Sequence, residues 1–208
     1  MKTIICFGDS NTWGYNLAGG ARFSTKERWG SILRKELGSD YYVIEEGHCG
    51  RTTVCDDPVG EYKSGKRYII PCIESHSPVE LVIILLGTND LKKRFSLSAY
   101  DIANGAGVLV NMVQKSNAGP EGSSPKILLI APPPIKEVGP FAEMFEGGEE
   151  KSCRFSKHFK NLSQQLGCGF LDGCQIIKSS DIDGIHLELS EHKKLATAVA
   201  KKVQEILS

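Results

Sequence analysis

No long hydrophobic run occurs in this chain. Its most apolar stretch, Leu81 to Leu86, is six residues, against the roughly 20 needed to span a bilayer as a helix. The apolar run near the N-terminus, Ile4 to Phe7, is too short for the h-region of a secretory signal, and no small-residue cleavage site follows it. The expected compartment is therefore the cytoplasm. Neither sign of charge is in excess, with 25 Lys and Arg against 25 Asp and Glu, so there is no electrostatic reason to expect nucleic acid or an anionic membrane as partner. The cysteines (6, 49, 55, 72, 153, 168 and 174) are odd in number and include no CxxC pair. They read as free thiols in a reducing compartment, without a zinc framework. Linkers, internal repeats and low-complexity segments are also missing, and 208 residues are read as one domain spanning 1–208.

What is present is an alternation of strand and helix patterns. Ile4 to Phe7 reads as a buried strand, and further strands are expected at Tyr41 to Glu45, Leu81 to Leu86, Lys126 to Ala131 and Gly169 to Asp172. Between them lie helical faces. Trp29, Ile32, Leu33 and Leu37 share one before Gly38, and Ile102, Ala106, Leu109, Val110 and Val113 share another behind a Ser98–Asp101 capping box. A third carries Phe155, Phe159, Leu162 and Leu166. The last, with Leu195, Val199, Val203 and Ile206 inward, is expected to be capped by Ser190. A shorter helix is expected around Pro71 to Glu74, after polar, loop-like residues 56–67. Residues 135–148 form an irregular, partly apolar insertion. Five short strands separated by helices predict a three-layer α/β/α sandwich with a five-stranded parallel sheet and right-handed crossovers.

In such sheets ligands collect outside the carboxyl ends of the strands. Three of those ends carry small or polar residues: Gly8-Asp9-Ser10-Asn11, Gly50, and Gly87-Thr88-Asn89-Asp90. A fourth group, Asp183 and His186, precedes the last helix. Each type answers a need of acyl transfer. A serine hydroxyl, Ser10, becomes a nucleophile when a base takes its proton, and His186 can be that base. Asp183, three residues earlier, can orient the imidazole. The Ser10 backbone N–H, the Gly50 N–H and the Asn89 side-chain amide can hold an oxyanion. Singly, each has an ordinary structural use as a turn, cap or strand end; their joint arrival at strand ends is what favours chemistry.

Those four blocks, in order from position 8 to 186, resemble the SGNH (GDSL) hydrolases, although Asn11 stands where the eponymous motif has leucine. The resemblance implies the flavodoxin-like SGNH fold, a Ser10–His186–Asp183 triad, and Gly50 and Asn89 in the oxyanion hole. Closer similarity is to the bacterial arylesterase and acyltransferase branch, carried by Cys6 to Trp13, Glu45-Glu46-Gly47, Arg51-Thr52-Thr53 and Phe145-Glu146-Gly147-Gly148-Glu149. That branch implies short-chain ester substrates, acyl transfer to alcohols as well as water, and a homo-oligomer. It also implies that Trp13 and the 135–148 insertion shape a narrow acyl pocket, with core packing an equal account of Trp13. Asp9, Asn11 and Trp13 are accordingly expected to bind substrate. No cofactor and no metal are expected.

Rival readings remain. The same triad serves carbohydrate acetylesterases and thioesterases, because it does not sense the leaving group. A non-catalytic flavodoxin-like binding module is the other class, but no G-x-G-x-x-G or P-loop pattern supports it. The serine context is not the G-x-S-x-G elbow of α/β-hydrolases. Cys49 reads as packing, and Asp56-Asp57 as solvated loop residues without a ligand set. His76, His158 and His192 fall on helices without evident partners. Asp181 is a rival triad acid; spacing within the resemblance favours Asp183.

Overall fold

The computed structural model describes residues 1–17 and 19–208. Five strands build one sheet: β1 (Lys2–Gly8), β2 (Tyr41–Gly47), β3 (Leu81–Leu85), β4 (Lys126–Ala131) and β5 (Gly169–Asp172). Their order is β2-β1-β3-β4-β5 and every neighbouring pair is parallel. Each strand lies where the apolar runs placed it, with ends shifted by up to two residues.

Alternate residues of a strand face opposite sides, and the two cores divide accordingly. Ile5 and Phe7 of β1, with Val82 and Ile84 of β3, pack under α3 (Gly65–Ser75), α4 (Ala99–Gln114) and α6 (Phe155–Leu166). Ile4 and Cys6, with Leu81 and Ile83, pack under α2 (Trp29–Leu37) and α7 (Leu189–Leu207). Two short helices complete the chain, α1 (Ser10–Trp13) and α5 (Gly148–Ser152). Leu195, Val199 and Val203 of α7 are fully buried, worth about 1.5–3 kcal/mol each in transfer from water.

Two helix expectations are corrected. Ser190 does not cap α7: the helix starts at Leu189 after an extended Glu188, no side chain caps it, and Ser190 turns to Glu191. The α3 helix starts at Gly65, before the expected Pro71 to Glu74 stretch, and takes the end of the segment read as loop. Its burial pattern (Ile69, Cys72 and Ile73) outweighs the interior Pro71, whose ring removes only one helical donor. The Ser98–Asp101 capping box is present in full.

In the order 2-1-3-4-5 the connections leave β1 on one side to β2 and on the other to β3, so the crevice lies outside the ends of β1 and β3. Ser10 follows β1 and Asn89 follows β3. Among the described residues, no helix is long and apolar enough to cross a membrane.

Candidate active site

Ser10 opens α1 one residue past the corner where β1 ends. Asp9 caps that turn by accepting the Asn11 N–H at 2.9 Å. The Asp183–His186 turn comes from the far end of the chain and is closed by its own carboxylate: Asp183 Oδ1 accepts the N–H groups of Ile185 and His186, each at 3.0 Å. Gly184 sits at φ +74°, and a Cβ there would lie 1.9 Å from the Lys136 carbonyl oxygen, so only glycine fits this close approach. Asn11 joins the two segments, donating to Ile185 O at 3.3 Å and accepting from Leu187 N at 2.9 Å.

The result is a chain of contacts across 176 residues of sequence. Ser10 Oγ lies 3.0 Å from His186 Nε2, and His186 Nδ1 lies 2.6 Å from Asp183 Oδ2. Burial pushes the Asp183 carboxyl up, but the ring and backbone N–H groups of His186 and the Ile185 N–H outweigh it and hold it below its ordinary value. An ionised Asp183 only accepts, which places a proton on Nδ1 and leaves Nε2 as the acceptor for the serine hydroxyl. Tyr15 stacks on the imidazole at 4.2 Å and Phe141 meets it edge-on at 5.8 Å. Asp181, the rival acid, is exposed and pairs with Lys136.

The loop carrying Gly50 is tied at both ends. On one side His48 N and Arg51 Nη1 donate to Gly8 O at 3.1 and 2.9 Å. On the other, Thr53 gives its N–H and hydroxyl to Asp90, the hydroxyl at 2.5 Å. Three strand ends distant in sequence thus become one braced rim. Gly50 itself has φ +81°, a left-handed conformation that a side chain would strain. The Asn89 amide reaches Asp9 Oδ2 at 3.5 Å. Burial raises both Asp9 and Asp90 to about 6, against hydrogen bonds from Asn11 and Thr53 respectively.

A cavity of about 220 Å³ opens at this rim, lined by Ser10, His186, Gly50, Asn89, Tyr15, Cys49, Lys92, Phe141, Met144, Phe145 and Ile185. A larger groove of about 740 Å³ runs along α7 and β5, and Ser10, His186 and Asp183 are not among its walls. Asp9, Asn11 and Trp13 are not among the cavity's walls. Asp9 caps, Asn11 cross-links, and Trp13 lies under the Arg22 guanidinium at 5.4 Å. Cys49, read as packing, is a wall of the cavity. Asp57, read as solvated, keeps its side chain 3% exposed and pairs with Lys92 at 3.2 Å and Arg94 at 3.1 Å.

The histidines also have partners. His76 lies 3.2 Å from Glu46 and His158 meets Tyr100 edge-on. His192 is fully buried, accepts the Trp29 N–H at 3.4 Å, and burial pushes it down to about 4. Phe141, Met144 and Phe145 belong to the apolar insertion that the sequence marks out. Tyr15 and Lys92 carry no local signal; only the fold brings them to the cavity.

Residues 6–190 match the model of the GDSL-like lipase/acylhydrolase family. An aryl esterase of M. smegmatis is 39% identical, with a TM-score of 0.94 over 99% of this chain and 100% of that one. A carbohydrate acetylesterase of Sinorhizobium meliloti is 38% identical, with a TM-score of 0.93 over 99% of each chain. A G-D-S-L lipolytic protein of Veillonella parvula, at 14% identity and a TM-score of 0.66 over 97% of each chain, shares the fold. No curated protein sequence matches the chain at a significant level.

Proposed function

Since the chain belongs to the GDSL-like lipase/acylhydrolase family and is a carboxylic ester hydrolase, we propose that it cleaves short-chain esters through an acyl-enzyme on Ser10. The observation that carries this is the Ser10–His186–Asp183 contact chain, at 3.0 and 2.6 Å, opening into the cavity.

Ser10 Oγ attacks the ester carbonyl carbon while His186 Nε2 takes the hydroxyl proton. The oxyanion that forms is held by the Ser10 and Gly50 backbone N–H groups and the Asn89 amide. As the tetrahedral intermediate collapses, the C–O bond to the alcohol breaks and His186 returns the proton to the leaving oxygen. Water, or an alcohol, then gives its proton to His186 and attacks the acyl carbon, releasing Ser10 and the acid or a new ester. Asp183 stays ionised and keeps Nδ1 protonated throughout. Every step is acid–base and nucleophilic chemistry of the chain's own side chains.

The cavity favours a small acyl group. At about 220 Å³ it falls below the range of about 300–1,000 Å³ for ordinary small-molecule sites. Its walls are aromatic and aliphatic on the side of Phe141, Met144 and Phe145. One wall is polar, however: the Lys92 ammonium, held by Asp57 beside Gly50. That charge suits a hydroxyl-rich leaving group, which, with the similarity to a carbohydrate acetylesterase, supports acetylated sugars as a second substrate class. Assembly as a homo-oligomer belongs to this reading as well, and light scattering on the purified protein tests it.

Hydrolysis of p-nitrophenyl acetate by the wild type and Ser10→Ala tests the mechanism, with circular dichroism to verify folding. Turnover by the wild type and background by the variant is the expected outcome. A Ser10→Ala variant that keeps most of the activity would make Ser10 a turn residue and sink the acyl-enzyme. Acetyl esters of aryl, sugar and thiol leaving groups, compared by kcat/KM, then separate the substrate classes.

A further inference from the structure

Outside the cavity, three side chains of cation-binding type converge on the side of the sheet that carries α3. Glu46 lies near the end of β2, Cys72 in the last turn of α3, and His76 just past that helix. A carboxylate oxygen, the Cys72 sulfur and a ring nitrogen of His76 all lie within 4.8 Å of one another. Glu46 Oε1 and His76 Nε2 are 3.2 Å apart. Around a tetrahedral zinc with bonds of about 2.0–2.3 Å, adjacent ligand atoms stand about 3.2–3.8 Å apart. The three groups thus need to close by about an ångström at most.

Their spacing and surroundings also fit. Cys72 and His76 are four residues apart, so one helical turn sets both on the same side. Cys72 is 1% exposed and closes the floor, while the His76 and Glu46 side chains are 33% and 20% exposed. An ion can enter from solvent and keep one water ligand. The Tyr68 hydroxyl donates to Glu46 Oε2 at 3.3 Å, which orients the carboxylate and leaves Oε1 for the ion, as second-layer partners commonly do.

We propose that Glu46, Cys72 and His76 form a binding site for Zn²⁺ or a similar borderline-soft divalent cation, with water as the fourth ligand. Thiolate, imidazole and carboxylate together suit zinc better than magnesium or calcium, which favour all-oxygen sets. Thiolate and carboxylate neutralise the dication. As the sulfur–metal bond forms, the thiol proton leaves to solvent, so binding weakens as pH falls. The Arg51 guanidinium faces the cluster. It donates to the carbonyls of Gly8 and Glu46, not to the Glu46 carboxylate, and lies over the Phe7 ring at 4.3 Å and the Tyr68 ring at 5.3 Å. The sequence gives no hint of this site, because Glu46 is 26 residues from Cys72 and no CxxC or HxxxH pair marks it.

The test is independent of catalysis. The purified full chain is dialysed to equilibrium against Zn²⁺ and its metal content measured. A parallel sample is titrated with Co²⁺ and read by its thiolate-to-cobalt charge-transfer band. The expected result is one ion per chain and a charge-transfer band. Both are lost in Cys72→Ser and weakened at least tenfold in His76→Ala, and both are kept in Cys153→Ser, which removes an exposed thiol. A wild type that binds no ion, or a Cys72→Ser variant that keeps the ion and the band, overturns the proposal. If Cys72→Ser does not fold, His76→Ala, altered at a partly exposed helix end, decides: unchanged affinity there also overturns it.

Discussion

Asp183 shows how one carboxylate can do two jobs with two oxygens. Oδ1 closes its own turn through two backbone N–H groups and Oδ2 holds the imidazole. Asp183→Asn should therefore lower kcat by about 10³–10⁴, by loss of the tautomer that leaves Nε2 free, and single-turnover kinetics check it. The stacking of Tyr15 on His186 and the edge-on contact of Phe141 should keep the ring in place. If Asn89 donates to the oxyanion as proposed, Asn89→Ala should lower kcat by about 10²–10³ with little change in KM. An equal loss in kcat/KM through KM alone would show that Asn89 binds the ground state instead. These residues were legible in the chain because their chemical types are distinctive, and Ser10 and Asn89 each follow an apolar run. Lys92 and Tyr15 were not legible. A lysine or tyrosine in a loop reads the same whether it meets solvent or a cavity, and only the course of the backbone decides.

Among the elements, the 135–148 insertion and the α4 cap make contrasting cases. The segment carries Phe141, Met144 and Phe145 into the cavity, so its side chains should set acyl length. Phe145→Ala, at a position 3% exposed, should raise the ratio of p-nitrophenyl butyrate to acetate hydrolysis severalfold; a falling ratio would place the acyl group elsewhere. Ser98 caps α4 and is not among the cavity's walls. Ser98→Ala should cost about 1 kcal/mol and lower Tm by about 2–4 °C, with kcat/KM unchanged. The capping box could be read directly, since Ser and Asp three apart satisfy each other's backbone groups locally. Ser190 misled because a serine near a helix start looks the same two positions past the cap, and the extended Glu188 sets where α7 begins. The start of α3 misled differently: the polar residues up to 67 read as loop, and the burial of Ile69, Cys72 and Ile73 on a helix from Gly65 prevailed.

Across the whole molecule, three buried groups give stability an unusual pH dependence. Asp9 and Asp90 are raised to about 6 by burial. The folded state therefore holds their protons more tightly than the unfolded chain, and stability rises as pH falls from about 6 towards 4. His192 is pushed down to about 4 by burial, so the unfolded chain protonates first and stability falls as pH drops below about 6.5. The two effects oppose each other. In Asp90→Asn the gain on acidification is lost, so its unfolding free energy should fall between pH 7.5 and pH 5 by about 1.4 kcal/mol more than that of the wild type. Urea denaturation at both pH values checks this, and an identical pH response would show that Asp90 is not the group that titrates. By itself the sequence determined the five strands, the parallel sandwich, the three blocks at strand ends and the fourth before the last helix, because apolar runs, turn residues and distinctive side chains act locally. The tertiary structure alone decided the contact of Ser10 with His186 across 176 residues, the bracing of Gly50 between Gly8 and Asp90, and the burial of the Asp57 side chain beneath Lys92. Each of these depends on which strands become neighbours, and therefore on chain-wide packing that no local pattern encodes.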